Sequence, residues 1–377
     1  MNERRKEIML VLLVTLLGLI GLFLRTDRLT YSHPDFTEIW DHCFYIEMAT
    51  NHPSNLHIAP FEYRILNPLL AKLLPFDVLI NFTILNFAAL WLTGIIIYFM
   101  LRTMGFSTPL AFTGLLFFLS LGWATRYNIY DFWLSDPMGF LFIVGAMWSI
   151  FAKKDLLFLL LLAIGVMAKE NVIFVAPLYY TFNSKKILDG KVLFRSLYLI
   201  APALIVLVAL RMFIPTTNEE YNIAHLMQTI GLKRIQHFSR DARDYLLLFS
   251  IGTFGVSLTL LPLFSIKQNL SLLWRFLPFI ALTYSSLLFA YNESRLIVSA
   301  FPAFIIMALY GVKSIADKTG FHEKIFILLP LSLIVLLLGK KGLFVVPSLY
   351  EALILLLFLA ISLQSEWLTK EIKVAQQ

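Results

Sequence analysis

Long apolar runs broken by short polar intervals fill the chain from residue 8 to residue 363. Runs approaching ~20 residues read as membrane spans, since a helix needs about that many to cross a hydrocarbon core. By this rule spans are expected near 8–24, 79–101, 109–124, 137–152 and 196–214, then near 245–264, 271–290, 296–312, 325–338 and 343–363. Two further runs, 155–167 and 172–182, are each too short to cross upright. Short or broken spans persist only where their backbone is buried in protein or lines a cavity, so this pair is expected to border one. The pattern predicts an all-α, polytopic transmembrane helix bundle of about ten to twelve spans. Residues 1–377 read as a single integral membrane domain without a soluble domain or an internal repeat.

Composition points the same way. Of 377 residues, 59% are hydrophobic and 15% charged, and mean hydropathy is +0.78. Soluble domains carry roughly 25% charged residues, so this chain lacks the surface to dissolve. The net charge of +7 is not a nucleic-acid footprint, because many Lys and Arg residues stand in short loops or at span ends. No nucleic-acid partner is expected; membrane lipids are. The single Cys43 excludes an intramolecular disulfide.

Flanking charges set the expected orientation. Arg4-Arg5-Lys6 precede the first run, placing the N-terminus in the cytoplasm, and no small-residue cleavage site follows that run. Residues 25–78 then form a long first outer loop, and residues 215–243 a second. Alternation puts Asp35, Asp41, Arg64, Asp131, Asp136, Lys169, Glu170, Lys233, Arg240 and Arg295 on one side. Within the second loop, Lys233, His237, Arg240 and Asp244 recur at the spacing of one helix face, suited to lipid headgroups. Glu351 is the clearest charge inside a span, and the Gly339-Lys340-Lys341-Gly342 turn departs from the positive-inside pattern.

A fifty-residue polar interval in such a chain is more often functional than incidental. It carries His33-Pro34-Asp35, Trp40-Asp41-His42-Cys43-Phe44-Tyr45 and Phe61-Glu62-Tyr63-Arg64-Ile65-Leu66-Asn67-Pro68. The segment from Trp40 to Ala49 reads as a short juxtamembrane helix. Asp35 and Asp41 are each able to accept a proton from an attacking hydroxyl. Arg64, Lys169 and Arg295 are candidates for a lipid phosphate, Arg offering the better fork for its oxygens. His33, His42, His52 and His57 share the loop, but their spacing fits no compact ligand set, so no metal site or cofactor is predicted.

These segments resemble the membrane-embedded glycosyltransferases of the GT-C superfamily, which take sugars from polyprenyl-phosphate carriers. The run Trp40–Ala49 is similar to the juxtamembrane helix that carries the catalytic aspartate of that superfamily. The run from Phe61 to Ala71 resembles the Tyr-Arg segment with spaced Leu and Pro that follows it in bacterial members. Leu134-Ser135-Asp136-Pro137 matches the acidic residue of the second outer loop, and Met167-Ala168-Lys169-Glu170-Asn171 the short basic-Glu-Thr/Asn turn. Glu293-Ser294-Arg295 with Phe301-Pro302 is like the late Arg segment. The likeness covers about residues 1–310, and the adjacent Asp-Glu pair of better-known members is absent, leaving Asp35 or Asp41 as the base.

The resemblance implies a GT-C-like bundle in a bacterial plasma membrane. It would be an inverting, mannosyltransferase-like hexosyltransferase acting on the outer face. Its donor would be a polyprenyl-phosphate sugar and its acceptor a glycan, lipid or protein hydroxyl. Asp41 is taken as the general base and Asp35 as the second catalytic candidate; the plainer reading of Asp35 is a helix cap. Arg64, Lys169 and Arg295 would bind the donor phosphate, and Asp136, Glu170, Tyr45 and His42 would support the acceptor or the site. The alternative is a transporter or flippase of a lipid-linked saccharide, which predicts ionisable groups deep in the spans.

Overall fold

The structure, a computed structural model, describes residues 3–37, 41–51, 58–186, 188–214, 223–289, 292–342 and 344–375. The side chains of 223–224, 237, 243–246, 248 and 363–375 lie outside that description. So do Trp40, His52, His57 and residues 215–222 of the expected second outer loop, together with the side chains of His237 and Asp244.

The described chain is all-helical. Its elements run α1 Glu3–Arg25, α2 Asp41–Thr50, α3 Leu66–Leu73, α4 Val78–Thr103, α5 Thr108–Ser120 and α6 Arg126–Tyr130. They continue with α7 Asp136–Phe151, α8 Asp155–Ala168, α9 Ala176–Asn183, α10 Gly190–Phe213, α11 Ile223–Leu226 and α12 Leu232–Leu260. The last five are α13 Ile266–Ser285, α14 Glu293–Ile297, α15 Phe301–Thr319, α16 Leu328–Gly339 and α17 Ser348–Ala375.

Among the described residues, five helical stretches are long and apolar enough to cross a membrane: Glu3–Arg25, Val78–Thr103, Gly190–Phe213, Phe249–Leu288 and Glu293–Thr319. Four shorter apolar helices join them, Thr108–Ser120, Asp136–Phe151, Asp155–Ala168 and Ser348–Ser362. This is the architecture of a multi-pass membrane protein. The expected short pair is α8 and α9, joined by a 3₁₀ turn, Glu170–Val175.

Local chemistry sets the helix ends. Asp77 accepts from the Ile80 N–H at 3.0 Å to open α4, and Asp189 accepts from the Val192 N–H at 3.2 Å to open α10. Pro137 and Pro302 stand in the first turns of α7 and α15, where a missing N–H costs nothing. Helices α7 and α15 are buried along most of their length, so they form the centre of the bundle. By contrast α10 buries only Ser196, Leu199 and Ala203, leaving an apolar outer face suited to lipid. Hydroxyls inside the spans return to their own helices: Thr15, Thr93 and Thr113 donate to carbonyls four residues back. Gly311 lets α15 touch backbone directly, since a Cβ there would lie 1.9 Å from the Leu261 carbonyl.

The region read as a first outer loop has a core of its own. Tyr45, Met48 and Ala49 from α2 pack with Phe61, Ala71, Phe82, Phe132, Trp133 and Leu134. Burial of these rings orders α2 and α3 against the end of α4. A second device locks this end. The fully buried Arg126 guanidinium donates to the carbonyls of Arg25 at 2.8 Å and Lys340 at 2.8 Å, and to that of Leu337. One side chain thus satisfies backbone acceptors at the C-terminal ends of α1 and α16, which helices leave open. Within the expected second loop the chain is helical from Ile223 onward. The 233–244 face is interrupted, because Asp241 leaves the helical region at φ −134°.

Candidate active site

Five separate segments converge beside the α2 core. Asp136, the first residue of α7, is fully buried and accepts from the Lys169 ammonium. Its Oδ2 also accepts from Arg295 Nη2 at 2.9 Å and Nε at 3.1 Å. The remaining Arg295 nitrogen, Nη1, donates to Asp41 Oδ2. One guanidinium therefore ties α2 to α7. Arg295 is itself set by Asn292, whose side chain accepts from the Arg295 N–H at 3.3 Å and opens α14.

A second chain of contacts runs alongside. Arg64 donates from Nε to Glu170 Oε2 at 2.8 Å, from Nη2 to Glu170 Oε1, and from Nη1 to Tyr45 Oη at 2.9 Å. Tyr45 Oη lies 3.1 Å from Ser135 Oγ, one residue before Asp136. The two forks thus meet at the start of α7. Asn171 donates to Ser299 Oγ at 2.9 Å, fastening the Lys169-Glu170-Asn171 turn to the segment after α14. Lys169 and Glu170 do not pair with one another; each reaches a different partner.

Exposure separates the open edge from the wall. The Asp41 and Glu170 side chains are 33% and 31% exposed, whereas Lys169 is 4% and Asp136 not at all. Arg295 and Arg64 lie between, mostly covered. All three expected phosphate cations are therefore already matched by carboxylates, and Lys169 is sealed behind Asp136. A bound anion would have to take over a fork now held by Asp41 or Glu170.

His42 is buried on α2, its Nε2 3.0 Å from the Thr37 carbonyl and its Nδ1 4.0 Å from Asp131 Oδ2. Burial pushes the His42 imidazole down, while the Thr37 carbonyl and Asp41 pull it up. Asp131 is a residue to which the sequence reading assigned no role. It follows α6, is 4% exposed, and its Oδ1 has no hydrogen-bond partner among the described residues. Burial pushes its carboxyl up to about 7; Arg295 opposes this, and Asp41 and Asp136 add to it. The polar stretch Thr125–Asp136, with four residues between its two aspartates, was the signal available for it.

Asp35 stands apart. Its carboxylate accepts from Tyr130 Oη at 3.3 Å, lies 3.9 Å from His33 Nδ1 and is 64% exposed. That is a surface contact with α6, in place of the expected cap on α2. Of the expected site residues, Asp41, His42, Tyr45, Arg64, Asp136, Lys169, Glu170 and Arg295 come together, and Asp35 does not. Among the described residues no three His, Cys, Asp or Glu side chains gather as a metal-ligand group.

Compared with known proteins, the chain matches no protein-family model and no curated protein.

Proposed function

We propose that the chain is an integral membrane glycosyltransferase of the GT-C type. It would move a sugar from a polyprenyl phosphate to an acceptor hydroxyl at the outer face of a bacterial plasma membrane. The reading takes in ten to twelve spans and a cytoplasmic N-terminus. The observation that carries it is Arg295 held between buried Asp136 and half-open Asp41. That pairing sets a proton acceptor beside a phosphate-sized fork at the edge of the cluster.

The chemistry follows from those groups. Asp41 accepts the proton of the acceptor hydroxyl, whose oxygen attacks the anomeric carbon from the face opposite the phosphate. The bond between that carbon and the phosphate oxygen breaks, its electron pair leaving with the carrier phosphate, and the configuration inverts. Arg295 offers Nη1 to the departing oxyanion once Asp41 turns to the acceptor. Asp136 and Lys169 keep the guanidinium aimed, and Arg64 with Glu170 and Tyr45 fixes the opposite wall.

The transporter reading draws on one specific feature, the buried Glu351 inside a span. The two readings are separated by supplying proteoliposomes with labelled polyprenyl-phosphate sugars and a panel of acceptors. Label appearing in a product, and lost in Asp41→Asn, supports transfer. Label crossing the bilayer still attached to its carrier, unaffected by Asp41→Asn, supports transport and overturns the enzyme.

A further inference from the structure

Away from the Asp41 cluster, α12 is broken at Gly255, where φ is +81° and ψ 169°. Only glycine adopts that conformation without strain. Glu351, near the start of α17 and 3% exposed, reaches into the break. Its Oε2 accepts from the Val256 N–H at 2.8 Å and its Oε1 from the Ser257 N–H at 3.0 Å. A continuous helix would direct those two N–H groups to the carbonyls of Gly252 and Thr253, so both acceptors lose their helical donors. Thr253 is 2% exposed, and its hydroxyl oxygen has no hydrogen-bond partner among the described residues.

A cavity of about 20 Å³ lies at this point, lined by Thr253, Gly255, Glu351, Ser120, Gly122 and Val346 among others. One water needs roughly 10–15 Å³, so the space admits one small ion or molecule. No basic side chain pairs with Glu351 among the described residues. A buried carboxylate without a counter-charge is expensive. Oxygen donors, one negative charge and a space for one small particle select a hard monovalent cation over a divalent one, which would demand more carboxylates. Broken helices whose freed carbonyls face a cavity are the usual architecture for such ions in membranes.

We propose that Glu351, the Thr253 hydroxyl and the freed Thr253 carbonyl form a binding site for a dehydrated monovalent cation of sodium size, pinning α12 to α17. The site is independent of the transfer reaction. The test is thermal unfolding of the purified full-length protein in nanodiscs, in NaCl, KCl or choline chloride at equal ionic strength. Sodium should raise Tm in a saturable way, by about 3 °C or more over choline, as expected for a ligand that binds only the folded state. Glu351→Gln should remove the sodium-specific increment. Should that variant fail to fold, Thr253→Val decides, by moving the sodium midpoint about tenfold higher while Tm in choline is kept. Equal Tm in all three salts overturns the proposal. So does a sodium increment that survives in both variants, or that Thr253→Val leaves at its wild-type midpoint when Glu351→Gln does not fold.

Discussion

Asp41 and Arg295 lie 254 residues apart in the chain and share a charged hydrogen bond at the open edge of the cluster. The other arms of the same guanidinium rest on buried Asp136. This geometry needs a planar fork with three nitrogens placed in one plane, which an ammonium cannot reproduce. Arg295→Lys keeps the charge and loses the simultaneous hold on both aspartates. Transfer from a polyprenyl-phosphate sugar should fall by about 10²-fold at saturating donor, the range seen when an oxyanion donor is removed. Turnover within a few-fold of wild type, at matched expression, would reduce Arg295 to a structural tie.

Asp131 carries a pH dependence with a definite sign. Burial holds its carboxyl at about 7, against 3.8 for the free side chain. Between those values the folded protein binds the extra proton, so this group's contribution to stability falls as pH rises from about 4 to about 7 and levels off above. Asp131→Asn removes that slope. The variant should match wild type near pH 4 and exceed it at pH 8, by at most roughly 4 kcal/mol. Unfolding in detergent at several pH values reads the difference. Parallel curves for the two proteins would mean that Asp131 is ionised in the folded state at neutral pH.

Most of this cluster is legible in the sequence, and the reason is physical. Charges are costly in hydrocarbon, so in an apolar chain each polar interval stands out, and Asp41, Arg64, Asp136, Lys169, Glu170 and Arg295 all occupy such intervals. What the pattern did not contain was pairing. Lys169 and Glu170 are neighbours in sequence, yet the 3₁₀ turn after α8 sends them to Asp136 and Arg64. Neither Arg126 nor Asp131 was assigned a role, because burial of an interval under α2 and α16 depends on tertiary packing alone. Asp35, four residues after Tyr31 on a surface strap, had the same sequence credentials as Asp41; only its distance from Arg295's partners separates them.

Arg126 should be among the most sensitive positions in the fold. Its buried guanidinium meets the carbonyls of Arg25, Leu337 and Lys340. Arg126→Met leaves those acceptors unsatisfied, at a cost of about 2–4 kcal/mol. Loss of Tm in detergent, together with faster proteolysis near 339–342, is the expected result. An unchanged Tm would show that the three carbonyls find other donors.

Cys43 offers a direct test of orientation, since it is the chain's single cysteine and is partly exposed on α2. A membrane-impermeant maleimide should label it in intact spheroplasts. Labelling confined to inverted vesicles would place α2 and the whole Asp41 cluster on the cytoplasmic face.

The last prediction separates the two carboxylates that sequence left open. Asp41 touches Arg295 within a cluster built from five segments, while Asp35 touches Tyr130 on the surface. Asp41→Asn is nearly isosteric, and Asp136 still holds Arg295 when the Asp41 charge is gone, so folding should survive. Removing a positioned base typically costs 10²–10⁴-fold, and turnover should fall by roughly that factor without a comparable loss of donor binding. Freed of its Asp41 partner, Arg295 should if anything hold a phosphate more tightly, so the donor KM should stay level or drop. Asp35→Asn removes one exposed hydrogen bond and should leave turnover within about twofold of wild type. The two variants are assayed side by side with the same donor, at equal membrane content. An inactive Asp35→Asn beside an active Asp41→Asn would move the base from the Arg295 cluster to the Tyr130 edge.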